Sequence, residues 1–170
     1  MSRLLAPFLI ALVLSIQALA AGPPLAPQGD RATAIVVEKA ARRLSLYRHD
    51  RLLKSYDVAL GGNPLGTKQR QGDSRTPEGR YVIDLKNDAS RFHLSLRISY
   101  PDAADRARAA AAGVSPGGDI FVHGLPNGYG WLGAAHRTRD WTDGCIAVTD
   151  TEIEEIWSLV GTDTPIEIRP

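Results

Sequence analysis

The chain has 170 residues, with 20 Lys plus Arg against 19 Asp plus Glu, four His and one Cys. That length supports one buried core, and a formal charge of +1 without a basic stripe excludes a nucleic-acid binder. One cysteine also excludes an intramolecular disulfide framework and any multi-cysteine zinc site.

Residues 1–20 (MSRLLAPFLIALVLSIQALA) open with Arg3 and run into an apolar stretch broken only by Pro7 and Ser15. Ala18 and Ala20 then stand at the −3 and −1 positions of an A-x-A site. This is the pattern of a cleaved secretory signal peptide, too short and too small-ended for an anchor. No later apolar run approaches spanning length, so no stable membrane span is expected after cleavage. In an oxidising compartment a lone thiol is kept only if it is buried, pairs between chains, or reacts.

Residues 21–30 (AGPPLAPQGD) are rich in Pro and Gly and have no periodicity, which predicts a flexible lead-in to one domain over 31–170. Short β-branched or alternating runs follow. They predict strands at 33–38, 43–48, 52–60, 81–85, 93–99, 120–123 and 165–168, with a hairpin turn at His49-Asp50. Two helices interrupt them. Residues 101–112 are Ala-rich, with Pro101 at the start and Gly113 past the end. Residues 149–160 open on Thr149 and Glu152 at capping-box spacing and place Ile153, Ile156, Trp157 and Val160 on one face. The expected fold is mainly β with two short helical insertions.

Two loops, 61–79 and 124–142, exceed what connection requires, and the second leads to Cys145. Gly144 lets the backbone beside the thiol approach its surroundings closely. The helix starting four or five residues later would favour a thiolate if its N-terminus faced the sulfur, and backbone N–H groups there could hold an oxyanion. The competing reading is a small buried hydrophobe beside Ile146 and Val148. A nucleophilic Cys needs a base. His123, ending the apolar run Ile120-Phe121-Val122 before Gly124, is the first candidate, and His136 is its rival. His49 sits in a turn, and nothing around His93 demands a role. No His pair has metal-ligand spacing, and no glycine-rich phosphate loop is present.

His123-Gly124 after an apolar strand, followed by a loop and then Thr142-Asp143-Gly144-Cys145-Ile146, resembles the L,D-transpeptidase catalytic domain of the YkuD type. Thr76-Pro77-Glu78-Gly79-Arg80-Tyr81 looks like that family's upstream Thr-Pro-x-Gly-aromatic segment. Phe92-His93-Leu94-Ser95-Leu96 and residues 140–148 are similar to its YafK-like branch. The resemblance covers roughly residues 33–168.

The resemblance implies a β-sandwich-like fold with Cys145 as nucleophile and His123 as general base. Gly124, Thr142, Asp143 and Gly144 would then shape or orient the site. It implies peptidoglycan peptide stems as substrate, a thioester at a diaminopimelate carbonyl, a periplasmic location and no cofactor. Relatives in the YafK-like branch can instead hydrolyse the link to a cell-wall-linked lipoprotein. This chain departs from the commoner motif. Asp143 stands where His is usual, and Ala147 and Val148 where Arg or Asn is usual. Holding a substrate carboxylate would therefore fall to Arg75, Arg137 or Arg139, with His136 and Trp141 as further substrate-facing candidates. A non-catalytic wall-binding module is the alternative of another class. Papain-like peptidases place Cys before His, the reverse of the order here.

Overall fold

The structure, a computed structural model, describes residues 22–170. The signal-peptide pattern over 1–20 lies outside the described residues. Eight strands form: β1 (Ala34–Glu38), β2 (Arg43–Arg48), β3 (Arg51–Asp57), β4 (Gly79–Ser90), β5 (His93–Ile98), β6 (Phe121–His123), β7 (Ile146–Ala147) and β8 (Pro165–Arg169). They make one sheet in the order β3-β2-β1-β8-β4-β5-β6-β7. Two helices, α1 (Ala103–Ala111) and α2 (Asp150–Leu159), complete the regular structure with two 3-10 segments.

The sheet curls because β4 serves both of its halves. Residues 79–82 pair with β8, while the strand from Ile83 onward pairs with β5. The register shifts between Ile83 and Leu85, and again between Asn87 and Ser90. Such irregularities bend a strand and add twist. β4 therefore runs well past residue 85, where the sequence pattern predicts its end, because the pairing continues after the alternation is lost. The inward side chains of both halves, among them Ile35, Val37, Leu44, Leu46, Ile83, Leu96, Ile98, Val122, Ile146 and Ile166, close into one core.

Both helices begin as their caps dictate. Asp102 and Asp105 form a reciprocal capping box at α1, and Thr149 and Glu152 form one at α2. The apolar face of α2 buries Ile153, Ile156 and Trp157 against the core. The expected lead-in is docked on that helix. Ala26 N–H donates to Ser158 O at 2.8 Å, and Arg31 Nε to Ala26 O at 2.6 Å. Gly22 lies so close to the Trp157 ring that a Cβ would sit 2.7 Å from it. These contacts hold Gly22 and Ala26 against the domain. Among the described residues no helix is long and apolar enough to cross a membrane.

Trp157 is only 8% exposed and joins the α2 face to the sheet. Trp157→Ala should cost about 3–5 kcal/mol. Equilibrium denaturation in urea measures this, and a loss below about 1 kcal/mol would mean that the ring contributes little to the core.

Candidate active site

His123 ends β6 and is 3% exposed. It lies opposite Ser95 of β5 and Ala147 of β7. Its Nδ1 is 2.7 Å from Gly124 O. A carbonyl only accepts, so Nδ1 carries the proton and Nε2 of the neutral ring keeps its lone pair. Gly124 cannot be larger: a Cβ there would lie 2.8 Å from Asp150 Oδ1 and 3.0 Å from Ile153. The rings of Phe92 and Trp141 flank the imidazole at 4.5 and 5.9 Å between centroids. Burial pushes the His123 pKa down to about 4, with the Gly124 carbonyl pulling the other way. The ring is therefore an unprotonated base at neutral pH.

Cys145 immediately precedes β7, which pairs in parallel with β6 in the register Val122↔Ile146. Carried back one residue, that register sets Cys145 level with Phe121. Strand alternation then puts the thiol on the same face of the sheet as His123. The turn before it is tied by one hydroxyl. Thr142 Oγ1 donates to Cys145 O at 2.7 Å and accepts from Gly144 N–H at 3.1 Å. Gly144 has φ 131°, and a Cβ on it would meet the Arg75 carbonyl oxygen at 2.6 Å, so both conformation and space demand glycine. Asp143 is exposed at the tip. Two further ties hold the turn's base. The Asp140 carboxylate takes Arg42 Nη2 at 2.8 Å and Leu60 N–H at 2.9 Å, and Ala59 pairs with Ala147.

The thiol is half-buried and its Sγ–H points to Asp119 O at 3.6 Å. Burial pushes its pKa up to about 11, against the Phe121 amide, which lowers it. The expectation that α2 would favour a thiolate is thus not met. That helix begins beside Gly124 and Leu125, where the Asp150 carboxylate takes Leu125 N–H at 2.8 Å. Cys145 and His123 share a groove of about 650 Å³, walled by Asn87, Ser90, Phe92, Ser95, Asp119, Phe121 and Trp141. Among the described residues no group of three or more His, Cys, Asp or Glu is placed to hold a metal ion. A neutral base and a neutral thiol in one groove can perform nucleophilic attack with concerted proton removal.

The family model of the YkuD L,D-transpeptidase catalytic domain matches residues 32–168. The chain belongs to this family.

Among curated proteins it is similar to "Putative L,D-transpeptidase YafK" of Escherichia coli K12, with 34% identity over 134 residues, covering 74% of this chain and 46% of the relative. The helical cell shape determining protein Pgp2 of Campylobacter jejuni shares the fold at 20% identity and TM-score 0.62, over 82% of this chain and 48% of that one. An L,D-transpeptidase of Mycobacterium smegmatis matches at 14% identity and TM-score 0.54, over 82% and 59%. This chain thus spans about half the length of the curated relatives it matches.

Within this L,D-transpeptidase fold the remaining sequence candidates separate. Trp141 lines the groove beside His123. Arg137 does not. Its Nη1 donates to Asp57 O at 2.8 Å and to Glu152 at 3.2 Å, which makes it a tie between β3 and α2. Arg75 lines a separate small pocket with Asn63 and Asp73, and its carbonyl lies against Gly144 of the cysteine turn. His136 and Arg139 line a different cavity, of about 570 Å³. Ser95 lines the groove as well, although no sequence signal singles it out. Nothing local in the sequence marked Arg42 or Asp119.

The elevated thiol pKa has a direct readout. Alkylation of Cys145 by iodoacetamide should accelerate roughly tenfold per pH unit from pH 7 to 9, as the thiolate fraction grows. A rate already level below pH 7 would instead reveal a preformed thiolate–imidazolium pair.

Proposed function

We propose that the chain is a periplasmic cysteine acyl-transfer enzyme acting on peptidoglycan peptide stems. The observation that carries this reading is one free thiol and one unprotonated, oriented imidazole on the same face of a single groove. Family membership supplies the substrate class. The printed names of the relatives, an L,D-transpeptidase and a cell-shape protein, agree with it. The export pattern over 1–20 supports a location where such stems occur.

The geometry supports the following reaction. Cys145 Sγ attacks the diaminopimelate carbonyl carbon while His123 Nε2 takes the thiol proton. The carbonyl oxygen becomes an oxyanion. Gly144 N–H is committed to Thr142, which leaves the Cys145 amide as the adjacent backbone donor. Collapse expels the stem's amine, which takes the proton from the imidazolium, and a thioester remains. An acceptor amine then attacks the thioester with His123 again removing its proton, and the thiol is regenerated. Fixing Nδ1 on Gly124 O throughout keeps Nε2 as the working nitrogen.

Incubating the purified chain with muropeptides and following products by mass spectrometry tests this. New cross-linked products are expected. Shortened or released stems without cross-links would reassign the acceptor to water. No product, together with no carbapenem adduct on Cys145, would leave a non-catalytic wall-binding module. Cys145→Ala should abolish turnover, and His123→Gln should lower it roughly 10²–10⁴-fold. Turnover within tenfold of wild type in the His123 variant would exclude it as the base.

A further inference from the structure

Arg91 is the one Lys or Arg among the residues that line the groove of Cys145 and His123. It sits in the tip of the β4–β5 hairpin, which the pair Ser90↔His93 closes. The register offsets this tip from the thiol. Cys145 is level with Phe121, and Phe121 pairs with Arg97 of β5. From Arg97 back to His93 is about 13 Å of strand. The two carboxylates that line the groove stand at the sulfur end. Asp119 O accepts from Cys145 Sγ at 3.6 Å, and Asp143 lies in the turn that presents the thiol.

The hairpin tip is held from two sides. Asn127 N–H donates to Arg91 O at 2.9 Å, and Asn127 Nδ2 donates to Ser90 O at 3.1 Å. Asn127 Oδ1 accepts from His93 N–H at 2.9 Å. His93 Nε2 meets Glu154 of α2 at 2.7 Å, and Phe92 packs on the His123 ring. The backbone that carries Arg91 is therefore fixed. Its guanidinium is exposed and has no ion-pair or hydrogen-bond partner among the described residues.

A guanidinium presents parallel N–H donors that match a carboxylate. The offset selects which carboxylate of a stem can meet it. The carboxylate of the leaving residue lies next to the scissile bond, close to the sulfur. The side-chain carboxylate of diaminopimelate lies at the far end of a straight carbon chain. We propose that Arg91 is a specificity-determining residue that takes this side-chain carboxylate and so selects diaminopimelate over lysine at the acylated position. The identity of the stem rests on the acyl-transfer reading, and the carboxylate subsite rests on the hairpin.

The full chain carrying Cys145→Ala can be titrated calorimetrically with three synthetic stem peptides. One contains diaminopimelate, one its side-chain carboxamide, and one lysine at that position. The carboxamide and lysine stems should bind roughly tenfold to a hundredfold more weakly than the diaminopimelate stem. Adding Arg91→Ala should bring the diaminopimelate stem down to the lysine stem and leave the lysine stem unchanged. Arg91→Lys should restore only part of the difference, because a lysine lacks the paired donors. Arg91 is exposed at a hairpin tip, so these substitutions leave the core intact. Equal affinity of the three stems while Arg91 is present, or full discrimination kept in Arg91→Ala, overturns the assignment. So does an Arg91 dependence that follows the stem's terminal carboxylate when that group is amidated instead. Carbapenem acylation of wild-type Cys145 reads the enzyme reaction separately. An adduct without side-chain discrimination removes the role of Arg91 alone. Discrimination without an adduct keeps the subsite and removes the acyl-transfer reading.

Discussion

The Asp140 carboxylate is the junction on which the site depends. It takes the Arg42 guanidinium at 2.8 Å and Leu60 N–H at 2.9 Å, and it immediately precedes Trp141 and the cysteine turn. Arg42 in turn sits between β1 and β2 with φ 50° and donates to Lys39 O at 2.8 Å. One carboxylate therefore ties the first hairpin, the chain leaving β3 and the turn that presents the thiol. Trp141 N–H and Thr142 N–H both reach Leu60 O at 3.1 Å, so the same junction orients the ring that walls the groove. A two-residue strand such as β7 has little pairing of its own, and these ties hold it in register with β6.

Burial sets the electrostatics of His123 and Cys145 in opposite directions. It lowers the basicity of His123 and raises the pKa of Cys145, so both rest uncharged. Neither group then bears an uncompensated charge in a weakly hydrated groove, which would cost far more than a neutral pair. In the proposed reaction charge would appear only on thiol attack, with the proton moving to an imidazole whose tautomer the Gly124 carbonyl has already fixed.

Much of this was legible along the chain because it is local. Thr149 and Glu152 lie three residues apart and cap α2 as their spacing predicts. His123-Gly124 and Gly144-Cys145 are short signatures whose glycines are required by contacts on the spot. The strand periods located most of the sheet. What escaped was long-range. Arg42 and Asp140 are 98 residues apart, and no periodicity links them. The course of β4 beyond residue 85 comes from pairing with β5 across a bulge, which alternation does not record. The direction of α2 relative to the thiol is set by packing, so nearness in sequence misled about its electrostatic effect. Arginines in loops looked alike by composition, yet Arg137 is a structural tie and Arg139 stands at an open cavity.

The loop at 61–79 exceeds what connection requires, and its side chains and Lys39 tie it down. Lys39, 2% exposed, donates to Gly66 O at 2.7 Å, to Thr76 O at 3.1 Å and to Glu78 at 2.6 Å. The Asp73 carboxylate gathers Lys68 and the amides of Gln69, Arg70 and Arg75. Burial opposes its ionisation, but these donors still bring its pKa down to about 2. The backbone resting on Gly144 is accordingly in place before any substrate arrives. Ordering that segment was completed during folding, so a ligand entering the groove would lose none of its affinity to fixing it.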